Sequence, residues 1–405
     1  MRGSGPPGGP TFRTVYADPN YRRLFYAQTI SRSGDTVAAI ALLVLVFQLT
    51  GSGLGVSGVV VAEILPVLML SPLAGPLIDR LPRRTVMIAA DLWRAALAAT
   101  LPLVDQQIIG IYLVAFGLSA GAVFFNPAAA SALPNIVTDE QLLAANSGIW
   151  SAAVIAQIAL APLAGAAVTA WGVAPAFLLN AGTFAVSALV LTRLRLAPAP
   201  TAQAATWASR VLEGGRLVLR DRLLRLLAVV QMLAALSAGA TSALLVVLAT
   251  DRLDAGPTGL GVLLGAIGVG AAVGPFLLVR LTSNPRRPAF VFGPYLLRGV
   301  VDIVLATTHS LPTATVAVAV YGASTSTGMV TYTSMLQVEV PAHLRGRVFS
   351  AFDMIWQTGR LASLALGGLI ADRYGIQAVY AVGGLLLLIA GILGLTGLGR
   401  KGTDD

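Results

Sequence analysis

The chain has no cysteine. That excludes a disulfide framework, a thiol nucleophile and a cysteine-based metal site. It has only two histidines, His309 and His343, far apart in the chain, so no histidine metal centre is expected. Charge is scarce as well: 11% of residues are Asp, Glu, Lys or Arg, against about 25% in a soluble domain. Lysine occurs once, at Lys401. There is no Gly-Lys-Ser/Thr phosphate loop, so nucleotide hydrolysis by this chain is not expected. Gly53, Gly55 and Gly58 fit Gly-x-Gly-x-x-Gly, but they follow an apolar helix rather than a strand, and the dinucleotide reading needs a βαβ context. No nucleophile–base pair is visible either. The chain reads as a non-enzyme with no cofactor.

What is abundant is apolar sequence. Hydrophobic residues make up 56% of the 405, and the mean hydropathy is +0.80. Spread over this length, that exceeds what one soluble core buries. Runs such as 56–77, 108–130 and 376–398 reach the roughly 20 residues needed to cross a bilayer. The 43 glycines suit helices that approach closely in lipid. Apolar runs set against loop signals predict twelve spans, near 24–49, 54–78, 86–104, 108–131, 143–170, 175–192, 223–250, 258–280, 289–306, 313–336, 347–371 and 376–398. The expected fold is an all-α integral membrane protein.

The net charge of +9 does not describe a nucleic-acid-binding face. Basic residues gather in the N-terminal arm, after spans 2, 8 and 10, between spans 6 and 7, and in the tail. Only Arg252 and Arg373 fall in loops on the other side. By the positive-inside rule this places the basic loops and both termini in the cytoplasm. The near-exclusive use of Arg over Lys suits a GC-rich bacterial genome, so the expected location is a bacterial cell membrane.

The two halves repeat each other at a spacing of about 203 residues. Asp18 and Arg22 before span 1 recur as Asp221 and Arg225 before span 7. Arg83 and Arg84 recur as Arg286 and Arg287. Leu92-Trp93-Arg94 recurs as Leu296-Leu297-Arg298, and Gly165 and Gly172 recur as Gly368 and Gly375. The widest interruption opens with Ala197-Pro198-Ala199-Pro200, a stiff extended element. The division is therefore an N-terminal six-helix half over 1–192, a cytoplasmic linker over 193–222 and a C-terminal half over 223–405. Parallel six-helix repeats imply a substrate site between the halves near the midplane.

Between span 2 and span 3 the chain reads Gly75-Pro-Leu-Ile-Asp79-Arg80-Leu-Pro-Arg83-Arg84. This resembles the signature loop of the major facilitator superfamily, Gly-x-x-x-Asp-Arg-x-x-Arg-Arg. Ser31-Arg32-Ser33-Gly34-Asp35, Phe125-Asn126-Pro127-Ala128, Ala145-Asn146-Ser147 and Leu344-Arg345-Gly346-Arg347-Val348 extend the resemblance to the branch containing the enterobactin exporter and bacterial drug-efflux proteins. It covers residues from about 18 to 399. It implies twelve helices, secondary active transport and proton-driven export of a small amphipathic molecule by a monomer. Two departures touch the coupling: 114–130 lacks the basic residue many drug–proton antiporters carry in span 4, and span 5 has Ala161-Pro162 in place of Gly-Pro. An importer or facilitator on the same scaffold, and a membrane solute receptor, stay open.

Nine ionisable residues fall inside the predicted spans away from their ends: Arg32, Asp35, Glu63, Asp91, Arg94, Arg298, Asp302, Asp353 and Arg360. Charges at this depth face aqueous cavities or buried partners. Gln28, Arg32 and Asp35 share one face of span 1. Asp35, with Arg32 beside it, is a candidate for proton coupling, and Glu63 is a second. Asp353, Trp356, Gln357 and Arg360 share one face of span 11, opposite Trp150 and Gln157 of span 5 at the repeat spacing. These residues, with Gln28 and Tyr321, are expected to border a substrate cavity. Span 10 adds a hydroxyl-rich run through Ser324, Thr325, Thr331 and Tyr332. Asp91/Arg94 and Arg298/Asp302 have intrahelical pair spacing and read as structural ion pairs. Gly75, Asp79, Arg80, Arg83 and Arg84, with Arg347 at the start of span 11, are expected to form a cytoplasmic gate.

Overall fold

The computed structural model describes residues 12–196, 215–282, 287–340 and 344–399. Side chains are described throughout these stretches except at 72–80 and a few isolated positions. Among the described residues every regular element is helical. After a short helix at Phe12–Tyr16, twelve long helices follow. They are α1 Pro19–Thr50, α2 Gly53–Arg80, α3 Arg83–Thr100, α4 Ile108–Ala132, α5 Leu142–Trp171 and α6 Ala174–Leu191. The second six are α7 Arg222–Ala243, α8 Gly256–Leu281, α9 Pro288–Thr307, α10 Leu311–Glu339, α11 Arg345–Tyr374 and α12 Ile376–Gly399. Ten of them are long and apolar enough to cross a membrane. The other two, α10 and α11, carry the hydroxyl-rich run and the Asp353–Arg360 face.

The repeat seen in the sequence has local physical causes. Asp18 caps α1, its carboxylate accepting from the backbone N–H of Asn20 at 2.6 Å and Tyr21 at 3.1 Å. Asp221 caps α7 in the same way, accepting from Leu224 N–H at 2.8 Å. A short acceptor at this position satisfies backbone donors that the first turn leaves unpaired. At the far ends of α5 and α11 the chain turns through Gly172 (φ 78°) and Gly375 (φ 79°), a conformation that side chains with a Cβ rarely adopt.

Packing repeats too. In the first half α1 packs on α5 and α6, α3 on α4 and α6, and α2 on α4. In the second half the corresponding pairs are α7 with α11 and α12, α9 with α10 and α12, and α8 with α10. Each pair recurs with both helix numbers raised by six. The main seams between the halves, α5 with α8 and α2 with α11, are exchanged by the same operation. The fold is two six-helix repeats.

The helix ends that flank the basic loops lie at one end of this bundle. At the opposite end a single apolar core spans both halves, joining Ala41 and Leu45 of α1 and Ala164 of α5 to Leu260 and Leu263 of α8. A smaller contact of Ile64, Ala243 and Leu364 joins α2, α7 and α11. Toward the basic end the core divides. One cluster, around Leu24, Met87 and Phe125, belongs to the first half, and another, around Leu227, Phe292 and Phe352, belongs to the second. The halves are sealed together at the end opposite the basic loops and part from each other toward them.

Candidate functional site

In the first half, Asp91 and Arg94 form the expected ion pair on α3, both buried. Ser187 Oγ of α6 donates to Asp91 Oδ2 at 2.6 Å. The Arg94 guanidinium lies over Phe125 (4.6 Å) and Phe184 (4.3 Å). A buried pair holds only if its remaining hydrogen-bonding capacity is met; the hydroxyl and the two ring faces supply much of that here. Beside it, Asn180 Nδ2 of α6 donates to Asp35 Oδ1 at 3.5 Å. The charges of Arg94 and Arg32 both reach Asp35. Glu63 of α2 lies within electrostatic range of Asp35 and, across the two halves, of Arg360 on α11. The two proton-coupling candidates thus lie in one electrostatic network.

The second half departs from the expected pairing. Arg298 and Asp302 of α9 are both buried but form no ion pair. Arg298 Nη2 instead donates to the Tyr321 hydroxyl at 3.0 Å, and its guanidinium lies 4.7 Å from the centre of that ring. The spacing permits a pair, but the long side chain turns toward α10. Tyr321 is therefore placed against Arg298.

That turn carries Arg298 to the wall of a cavity of about 440 Å3 within the second half. Asp353 and Trp356 of α11 line it. Tyr295 of α9, Tyr332 of α10, Phe349 and Phe352 of α11 and Gln231 of α7 line it too. Pockets of this size, aromatic with a few polar groups, hold drug-sized organic molecules. The sequence reading missed Tyr295, Phe349, Phe352 and Gln231; Phe352 sits one residue from Asp353, which was the available signal. Gln357 and Arg360 of α11 do not line this cavity, nor do Gln28, Trp150 and Gln157 of the first half. Trp150 is 54% exposed, and Gln28 is buried.

At the sealed end, two seams join the halves. On one, Gly165 of α5 and Gly261 of α8 let the helices meet backbone to backbone: a Cβ on Gly261 would overlap the carbonyl of Ala161. Thr169 and Thr258 share a 2.9 Å hydrogen bond there. On the other, the Asp372 carboxylate at the end of α11 accepts from Ser52 Oγ (2.7 Å), Gly53 N–H (2.6 Å) and Leu54 N–H (3.3 Å). An acid from one half thus sits on the N-terminus of α2 from the other, where the helix dipole favours negative charge. This contact left no local signal in the sequence, because its partners are some 320 residues apart.

In the signature loop, Arg83 Nη1 donates to the Ser131 carbonyl at 2.7 Å, and Arg84 donates to the carbonyl of Thr192. The two arginines brace the start of α3 against the ends of α4 and α6. Arg347 is exposed at the start of α11. The side chains of Gly75, Asp79 and Arg80 lie outside the described residues.

The chain belongs to the transmembrane secretion effector family of the major facilitator superfamily, which it matches over residues 14–401. It is 29% identical over 387 residues to the multidrug efflux pump Tap of Mycolicibacterium fortuitum, covering 91% of this chain and 93% of that protein. It is 23% identical over 390 residues to macrolide efflux protein A of Streptococcus pyogenes, covering 92% and 96%. In fold it is similar to a bacterial homologue of the iron transporter ferroportin in an inward-facing state, with a TM-score of 0.77, 16% identity and coverage of 93% of this chain and 98% of that one. It is also similar to the nucleoside transporter NupG, with a TM-score of 0.74, 13% identity and coverage of 94% and 99%. The protein is a multi-pass membrane transporter of small molecules and not an enzyme.

Proposed function

We propose that this member of the family exports small amphipathic organic molecules by alternating access, driven by proton entry. The observation that carries the reading is the aromatic cavity in the second half, lined by residues of the core cluster on the side where the halves part, while one core joins both halves at the opposite end. With the basic loops and both termini in the cytoplasm, this is the state that loads from inside. Asp353 lines the cavity, and the Asp91–Arg94 pair is the one ion pair formed between two described residues. An acid left free beside five aromatic rings suits a lipophilic cation. The relatives named for multidrug and macrolide efflux support the direction of transport.

In this reading the protein works as a monomer. Residues 1–192 and 223–405 rock against each other, linked through 193–222. Asp35 and Glu63 carry protons, with Arg32 beside the first and Arg360 beside the second. Gln28, Trp150, Gln157, Tyr321 and Gln357 border the path that opens between the halves. Gly75, Asp79 and Arg80, with Arg83, Arg84 and Arg347, form the cytoplasmic gate.

The test is ethidium flux in inside-out vesicles, with a macrolide as a second probe. An imposed gradient, acid inside, should drive ethidium inward, and collapsing the gradient should stop it. Flux that ignores the gradient refutes proton drive, and net movement in the opposite sense makes the protein an importer.

A further inference from the structure

Asp302 of α9 is 1% exposed and unpaired by any cation. Its Oδ2 receives one hydrogen bond, from Ser237 Oγ of α7 at 3.3 Å. Its Oδ1 is buried, and among the described residues nothing donates to it. An ionised carboxylate taken out of water at a cost of several kcal/mol requires a cation or several donors in return. A carboxylic acid needs far less, and the Ser237 hydroxyl can serve it as donor or acceptor.

The neighbours close the other options. Tyr380 of α12 is near enough to feel the Asp302 charge, but its hydroxyl donates to the Thr241 carbonyl at 2.8 Å. Tyr321 of α10 is taken up by Arg298, and Tyr295 lies beside Arg298 on α9 itself. Arg298 is the cation whose charge reaches Asp302. It stands four residues earlier, a spacing at which the two side chains can meet. In this structure it points away, into the wall of the aromatic cavity.

The geometry points to Asp302 as a proton-binding site of the second half, with Arg298 as the switch that empties it. With Arg298 turned to Tyr321 and the cavity, Asp302 is a neutral acid. A cationic ligand filling the cavity repels the guanidinium and competes for its place. Arg298 then swings back to Asp302, the O–H bond breaks, and the proton leaves to water. The guanidinium replaces the proton as the carboxylate's partner, so the local charge falls by one as the cation binds. Reprotonation of Asp302 frees Arg298 to return to the cavity and displace the ligand. This deepens the proton-coupled reading and rests on it.

Two measurements test the inference. Infrared difference spectra of the purified protein should contain a carboxylic-acid C=O band that is missing from Asp302→Asn. Ethidium binding in weakly buffered detergent solution should release about one proton per bound ethidium in the wild type, and the variant should bind ethidium and release none from this site. If Asp302→Asn does not fold, Ser237→Ala replaces it, and the band should shift in frequency because its hydrogen-bond partner is gone. A C=O region unchanged by these substitutions overturns the site. A band that responds, with ethidium binding that releases no proton, overturns the Arg298 switch. Vesicle flux indifferent to a pH gradient would instead overturn proton drive, and the infrared band would still decide whether Asp302 holds a proton.

Discussion

Removing the Asp372 carboxylate should open the sealed end. In Asp372→Ala three hydrogen bonds between the halves are lost: those from Ser52 Oγ, Gly53 N–H and Leu54 N–H. Hydrogen bonds to a charged group contribute about 1.5–3 kcal/mol each when buried, and a charge at an exposed helix terminus about 0.3–1 kcal/mol. Asp372 is exposed, so the low end applies and the whole contact is worth about 2 kcal/mol. That corresponds to a roughly thirty-fold shift toward the state open at this end. Asp372→Asn keeps the shape and one carbonyl acceptor and should shift it about fivefold.

Folding should be spared, because α2 keeps a cap of its own: Ser52 Oγ also accepts from Leu54 N–H at 3.1 Å and Gly55 N–H at 3.2 Å. The absence of native cysteine makes the assay clean. Ala164, buried in the seam between the halves, is replaced by cysteine, and its reaction with a membrane-impermeant maleimide is timed from the outer face. The rate should rise in the order parent, Asn, Ala, with melting temperature unchanged. Equal rates in all three would make Asp372 a surface contact with no part in gating. A fall in melting temperature that tracks the rates would mean that the contact holds the fold and not the conformational equilibrium.

Three further outcomes follow from the same geometry. Asp353→Asn should weaken ethidium binding by about 1–2 kcal/mol, roughly five- to thirty-fold, and leave binding of neutral chloramphenicol unchanged; equal losses for both would place Asp353 in packing. Asp35→Asn should abolish ethidium flux driven by a pH gradient and retain downhill flux, and undiminished driven flux would leave Glu63 as the proton carrier. Arg94→Gln should destabilise the protein by about 3–5 kcal/mol, because it strands buried Asp91, whereas Arg298→Gln, which breaks no ion pair, should lower the melting temperature much less; similar losses would contradict the difference between the two helices.

Much of the architecture was legible because its causes are local. Asp18 and Asp221 repeat since each caps the first helix of its half, and Gly172 and Gly375 repeat since each turns the chain at positive φ. Hydropathy fixes span length, and a repeat in sequence carries a repeat in packing. The site was legible in part. Asp353 and Trp356 stood out because polar and amphipathic groups are rare at such depth. Tyr295 and Phe352 did not, since an aromatic residue facing a cavity looks the same in sequence as one facing lipid. Arg298 and Asp302 misled because spacing sets who can meet, while the rotamer decides who does. Asp372 could not be read at all, because its partners, the Ser52 hydroxyl and two backbone donors, lie in the other half.

The two seams explain how one scaffold can close at either end. The pair α5 with α8 and the pair α2 with α11 are the same contact generated twice by the internal repeat. On each, a residue near the end of the fifth helix of one half meets the start of the second helix of the other: Thr169 with Thr258, and Asp372 with Gly53 and Leu54. The first is a neutral hydroxyl contact and the second is charged, so the repeat is symmetric in shape and asymmetric in strength. A helix cannot be sealed along its whole length in both states, because the cavity must open between the same two surfaces. The α2–α11 pair is tied at the N-terminus of α2 in this structure, and the proposed gate residues Asp79 and Arg347 stand at the opposite ends of the same two helices. Closing that mouth brings the negative end of α2 to the positive end of α11, so a charge–dipole contact can form at one mouth only when the other is released. Closure at each end then draws on the same pair of helices. Strengthening one latch weakens the population of the other, and transport speed depends on the two remaining nearly balanced.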